Sequence, residues 1–176
     1  KGRLTLSQML KNCGYTTGMV GKWHLGLDWK TDEGSYLSEG GQVNEKSIDC
    51  GIDFSSPIKG GPIHYGFGYF FGISASLDMA PYVYIENDRA VEIPTERHFQ
   101  EYSPNIDGTT LRQGDSLSGQ GRTGPVQPNM FADEVLSTLS DKAVEFIQEQ
   151  SNNKIPYFLY ASLTAPHTPV SPSKKF

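Results

Sequence analysis

The stretch that most constrains the fold is Tyr157-Phe158-Leu159-Tyr160-Ala161-Ser162-Leu163, a nearly continuous apolar run directly behind an amphipathic segment. A short run of this kind reads as a strand buried on both faces, as in a parallel sheet covered by helices. In the segment before it, Val135, Leu136, Leu139, Ala143, Phe146 and Ile147 recur with a 3.6-residue period, which predicts a helix from Asp133 to about Gln150. Ser151-Asn152-Asn153-Lys154 ends that helix. The same order appears near the other end of the chain. Leu6, Met9, Leu10 and Cys13 predict a helix over Leu4 to Cys13, capped by Thr5 or Ser7 and stopped by Gly14. Tyr15 to Lys22, short and rich in β-formers between glycines, predicts a strand. Helix followed by compact apolar strand, twice, is the rhythm of an α/β domain with a largely parallel sheet.

Between these anchors the periodicity fades. Asp28 to Gly61 and Thr95 to Pro128 are polar and Gly-rich, and irregular segments this long in a compact domain are usually functional or disordered. Tyr65, Phe67, Tyr69, Phe70 and Phe71 crowd together as core or as the wall of a cleft, and Pro81 to Glu86 with Arg89 to Ile93 predict a hairpin turning at Asn87-Asp88. Fifteen Lys+Arg against twenty Asp+Glu give a net charge of −5, which argues against nucleic acid or an anionic membrane surface as partner. No apolar run approaches the roughly 18 residues a membrane span needs. Cys13 and Cys50 lack C-x-x-C spacing and read as two ordinary thiols. The chain begins at Lys1 with no initiator Met and no signal-peptide pattern and stops at Ser173-Lys174-Lys175-Phe176, so it is expected to be an internal piece of a longer protein.

Two places carry candidate chemistry. Gly21-Lys22-Trp23-His24-Leu25-Gly26 and Ala165-Pro166-His167-Thr168-Pro169 each stand just past the carboxyl end of a predicted buried strand, the edge where open α/β sheets bind ligands. If the backbone stays extended, Lys22 and His24 point to one side about 7 Å apart, with Trp23 opposite. A lysine and a histidine so placed make a cationic, donor-rich wall suited to an oxyanion such as sulfate, phosphate or carboxylate. His167, between two prolines, sits on a stiffened loop suited to a proton donor. Spacing alone leaves a second reading open, in which the trio is a strand-end lysine and loop histidines that face water. His64 and His98 read as structural or solvated. The chain has no G-x-S-x-G elbow, H-E-x-x-H, Walker A or G-x-G-x-x-G stretch.

Residues Gly14 to Gly26, with their G-K-W-H core, resemble the second signature of the sulfatase family. The resemblance extends to Gly66-Phe67-Gly68-Tyr69-Phe70-Phe71-Gly72-Ile73 with Ser76-Leu77-Asp78, to Pro81 through Asp88, and to Tyr157 through Pro169. The nearest likeness is to bacterial arylsulfatase-like enzymes of the alkaline-phosphatase superfamily. It implies a three-layer α/β sandwich with a mostly parallel, mixed central sheet, of which residues 1–176 form part of one catalytic domain. It also implies a role for each matching residue. Lys22 contacts the sulfate, and His24 hydrogen-bonds the nucleophile and helps expel sulfate from it. His167 faces the bridging oxygen and protonates the leaving alcohol, and Ser76, with Ser74 close by, hydrogen-bonds near the sulfate.

The family's nucleophile is a formylglycine made from the Cys or Ser of a C/S-x-P-S-R motif, and no position here fits that motif. The resemblance therefore implies that the formylglycine, and the Asp and Asn ligands of a calcium ion, lie outside this chain. The expected function is a sulfuric ester hydrolase acting on a sulfate-ester small molecule or sulfated glycan, in an extracytoplasmic location. The alternatives are a phosphoester or phosphonate hydrolase of the same superfamily, a non-catalytic member that binds sulfated glycans, or a piece too incomplete to fold alone.

Overall fold

The computed structural model describes residues 3–37, 51–95 and 124–167. Its centre is a five-stranded sheet built from β1 (Thr16–Lys22), β4 (Tyr69–Ile73), β5 (Tyr84–Glu86), β6 (Arg89–Ala90) and β7 (Tyr157–Ser162), in the order β6-β5-β4-β1-β7. β1 is parallel to both neighbours, with Gly18 opposite Tyr69 and Leu159 and Lys22 opposite Ile73. β5 and β6 extend the sheet as an antiparallel hairpin. A small separate hairpin joins β2 (Trp29–Lys30) to β3 (Tyr36–Leu37). The sheet is mixed with a parallel centre, as expected.

β1 is central because its sequence allows close neighbours and burial on both faces. Gly18 leaves room for a helix ring, since a Cβ there would stand 2.6 Å from the Phe146 ring carbons. Gly21 adopts φ +127°, a region that L side chains rarely enter, and a Cβ at that position would overlap the Ser162 carbonyl of β7. Met19 and Val20 alternate to opposite faces and seed two separate cores. Val20 joins Phe71, Ile73 and Tyr84 beneath α2 (Ala132–Ser151), whose Val135, Leu139 and Ala143 face the sheet. Met19 joins Phe70, Ile85, Trp23, Trp29 and Phe67 on the other side.

Three expectations change. The Tyr157–Leu163 run is not buried on both faces: among the described residues β7 pairs only with β1, at the edge of the sheet, and Tyr160 is 51% and Leu163 41% exposed. Its apolar character reflects Phe158 and Leu159 packing on the two cores while no strand covers its outer side among the described residues. The first helix, α1 (Leu6–Asn12), forms with Thr5 as its cap, but its apolar stripe does not face the core. Leu6 and Met9 are exposed, and the one buried residue is Ser7, whose hydroxyl donates to the Tyr65 carbonyl at 2.6 Å. A backbone acceptor that needs a donor has decided which face turns inward.

The third change concerns the polar segments, which hold more order than their composition suggests. Besides the β2–β3 hairpin, Val126 is 2% exposed and bridges Tyr82, with Gln127 donating its amide to the Tyr82 carbonyl and its side-chain oxygen accepting from Tyr84 N. The hairpin at Asn87-Asp88 forms as read, with Asn87 at φ 56° and its side-chain oxygen accepting from Phe70 N. Its strands are shorter than the expected spans. Residues 38–50, including Cys50, and 96–123, including His98, lie outside the described residues. No helix among the described residues is long and apolar enough to cross a membrane.

Candidate active site

The parallel strands β4, β1 and β7 deliver their following loops to one edge of the sheet, and the candidate residues gather there. Beyond the last paired residue of β1, Trp23 N donates to the Ile73 carbonyl at 3.1 Å and His24 N to the Ser74 carbonyl at 2.9 Å, which ties the G-K-W-H turn to the loop after β4. On the other side, Ser162 Oγ donates to the Lys22 carbonyl at 2.8 Å, fixing the end of β7 against the end of β1 across 140 positions of sequence. Trp23 is the anchor of the turn. It is 9% exposed, meets the Tyr65 ring at a tilt with centroids 5.6 Å apart, and donates Nε1–H to the Gly26 carbonyl at 2.7 Å.

The expected alternation holds in outcome but not in backbone. His24 does not continue the strand, because its φ is 58°, in the left-handed region where histidine is several-fold more common than most residues. A non-glycine residue held there by neighbours on both sides is a form of local strain typical of functional sites. Lys22 and His24 nonetheless converge on one hydroxyl. Lys22 Nζ donates to Ser76 Oγ at 3.1 Å, and that oxygen lies 3.4 Å from His24 Nδ1. Ser74, the competing serine, is turned away and meets the Pro81 carbonyl at 3.5 Å.

Lys22, Ser76 and His24 form one hydrogen-bonded line. An ammonium only donates, so Ser76 Oγ accepts from Lys22. In the tautomer with its hydrogen on Nε2, His24 accepts the serine's hydrogen at Nδ1 and keeps an N–H free on the far side of the ring. The environment agrees. His24 is held below its ordinary value of 6.5, by loss of solvent around the ring first, then by the Lys22 ammonium and by His167, while Asp78 pulls it upward. His167 therefore stands within electrostatic reach of His24. It is exposed, and its amide closes a turn onto the Thr164 carbonyl at 3.0 Å.

Such an arrangement can bind and polarise an oxyanion through an ammonium, a hydroxyl and imidazole N–H groups, and can offer a proton from an exposed imidazole. Two participants escaped the sequence reading. Ser162 reads there only as part of an apolar strand, although its hydroxyl pins the site's backbone. Asp78, seen only as part of the Ser76-Leu77-Asp78 resemblance, is a buried carboxylate beside the cationic cluster. The signal for it was its spacing of two residues from Ser76.

The donor set does not fit a calcium ion. Among the described residues no three His, Cys, Asp or Glu side chains come together as a metal cluster, and the site presents an ammonium and two imidazoles where a hard dication needs oxygen ligands. No chemical step here is assigned to a metal.

Comparison with known proteins identifies the family. The sulfatase family model matches residues 1–176. An N-acetylgalactosamine-6-O-sulfatase of Bacteroides thetaiotaomicron is 28% identical over 98% of the chain, which covers 34% of that protein. Arylsulfatase G of Canis lupus familiaris is 30% identical over 95% of the chain, covering 25% of that protein. The chain thus spans about a third or less of the length of these relatives. A solved structure, described in terms of glycosaminoglycan metabolism by Bacteroides thetaiotaomicron, superposes with a TM-score of 0.66 at 25% identity, covering 98% of this chain and 36% of that one. A Pseudoalteromonas sulfatase structure matches the fold with a TM-score of 0.52 at 16% identity over 99% of this chain and 29% of that one. With a parallel-centred α/β sheet, a cationic cluster at its carboxyl edge and a family match along its whole length, this chain belongs to the sulfatase family.

Proposed function

We propose that this chain is the part of a sulfuric ester hydrolase that grips the sulfate and serves the leaving group. The observation that carries the reading is the shared hydroxyl: Lys22 Nζ, Ser76 Oγ and His24 Nδ1 in one hydrogen-bonded line at the carboxyl edge of the sheet. Lys22 and Ser76 hold the sulfate oxygens, where negative charge persists through the reaction, and their positions are fixed before substrate arrives. His24 donates from Nε2 toward the group that attacks sulfur and takes part in releasing sulfate from it. His167 gives a proton to the bridging oxygen as the S–O bond breaks, so that the alcohol departs neutral.

The nucleophile, a formylglycine by family likeness, and the calcium belong to polypeptide outside this chain. Two facts support a larger parent. The curated relatives are about three or more times longer, and among the described residues β7 ends the sheet with no strand beyond it, with Tyr157 and Tyr160 exposed. An open apolar edge of this sort is one that native proteins normally cover. The sugar-sulfatase name of the Bacteroides thetaiotaomicron relative favours a sulfated sugar as substrate class.

The experiment is sulfate release from 4-nitrophenyl sulfate and from a sulfated monosaccharide, by the full-length parent and by the 176-residue chain alone. Turnover by the parent, abolished in Lys22→Ala, with none by the chain alone, is the expected pattern. Hydrolysis of 4-nitrophenyl phosphate in preference to both sulfates would assign the site to phosphoester chemistry instead.

A further inference from the structure

One ionisable group at this edge has no place in the chemistry above. Asp78 is 7% exposed, and its Oδ1 is buried without a hydrogen-bond partner among the described residues. It lies in the turn that Met79 N closes onto the Ser76 carbonyl at 3.0 Å, two residues from the hydroxyl shared by Lys22 and His24. A carboxylate kept only to shape that turn would spend its oxygens on the turn's own N–H groups. Leaving a charged oxygen buried and unpaired is costly, and native structures tolerate it where the charge is used.

The charges that reach the imidazole of His24 come from all three loops at this edge: Lys22 from the end of β1, His167 from the loop after β7, and Asp78 from the loop after β4. Lys22 and His167 oppose a positive charge on that ring, and among the described residues Asp78 is the one influence that favours it.

We propose that Asp78 is a positioning residue for His24, its buried carboxylate serving as the counter-charge that keeps the imidazole able to take up a proton beside the Lys22 ammonium. Without it, His24 would face desolvation, Lys22 and His167 with nothing opposing them, and each of those disfavours the imidazolium. A histidine that must exchange a proton with its hydrogen-bond partner during turnover works best when both of its protonation states lie within reach of the working pH. Asp78 acts on substrate only through that histidine. Its low exposure supports this, because a carboxylate oxygen sealed from solvent is poorly placed to meet a ligand directly.

The catalytic meaning of this electrostatic influence rests on the sulfatase reading, whereas the influence itself is measured without turnover. The test is an NMR titration of the histidine rings in the full-length parent and in its Asp78→Asn variant, which keeps the shape and removes the charge. The expected result is a downward shift of the His24 titration in the variant. An unchanged or upward-shifted His24 titration in a folded Asp78→Asn protein overturns the proposal. If Asp78→Asn does not fold, the unsubstituted protein decides. Its Asp78 carboxyl carbon should show an inflection at the pH where His24 titrates, and a carboxyl signal blind to that step overturns the proposal equally. A shifted titration in a parent that cleaves no sulfate ester would leave the role of Asp78 toward His24 standing and remove the sulfatase reading.

Discussion

Lys22 Nζ donates to Ser76 Oγ across 3.1 Å, although the two residues lie 54 positions apart and on different strand-end loops. The pairing follows from the sheet. Lys22 is opposite Ile73 in the parallel register of β1 and β4, so each chain leaves the sheet at the same level and the next residues meet. The lysine's position is thus set by backbone hydrogen bonds, with the serine as the recipient of its charge.

Ser76 should matter more than one hydroxyl ordinarily does, because it links an ammonium to an imidazole. Hydrogen bonds to charged groups are worth about 1.5–3 kcal/mol, so Ser76→Ala should lower kcat/KM of the full-length parent by roughly 10- to 150-fold. Ser74→Ala, whose hydroxyl faces the Pro81 carbonyl instead, should cost far less. Steady-state kinetics on one sulfate ester compares them, and equal losses would show that the shared hydroxyl is not the functional one.

Stability should fall toward acid pH on account of His24. Its folded-state value is depressed below 6.5, first by desolvation and then by Lys22, so below 6.5 the unfolded chain binds more protons than the native one. The native state is then penalised progressively as pH falls from 6.5 through the lowered value, and unaffected above 6.5. Thermal melts from pH 8 down to pH 5 should show His24→Gln gaining relative to the parent only below about 6.5. A difference that is constant with pH would contradict this assignment.

The centre of the sheet should tolerate no added carbon at Gly21. Its φ of +127° and the Ser162 carbonyl beside it both oppose a side chain, so Gly21→Ala should destabilise by at least the 1–3 kcal/mol typical of overpacking. Leu139, fully buried between α2 and the sheet, should cost about 2–5 kcal/mol as Leu139→Ala. Urea denaturation measures both, and a Gly21→Ala midpoint equal to the parent's would mean that β1 and β7 do not approach as described.

Much of this architecture is legible in the residues, and the failures have physical causes. The period of Val135, Leu139 and Phe146 identified α2 because that helix buries a full stripe against the sheet. The Leu6–Met9–Leu10–Cys13 stripe misled about facing, because Ser7 is turned inward by the Tyr65 carbonyl, a partner 58 positions away that local pattern cannot reveal. Apolar content likewise identified β7 as a strand but overstated its burial, since it measures what a strand can bury and not how many neighbours this chain supplies. Lys22, His24 and His167 were legible as a group because strand ends share an edge. Ser162 was hidden inside an apolar run, and Asp78 carried no signal beyond its spacing of two residues from Ser76.

The central claim is that Lys22 serves the sulfate and His167 the leaving oxygen, and a leaving-group series tests it most directly. kcat/KM should be measured for the full-length parent, Lys22→Ala and His167→Ala on sulfate esters running from 4-nitrophenol to simple sugars. General-acid assistance is worth about 10²–10⁴-fold when the alcohol is a poor leaving group and little when it is a good one. His167→Ala should therefore lose most on sugar sulfates and least on 4-nitrophenyl sulfate. Lys22→Ala should lose alike throughout, because the transferring group is anionic in every case. A loss for His167→Ala that is the same across the series would contradict the account and leave His167 an anion ligand.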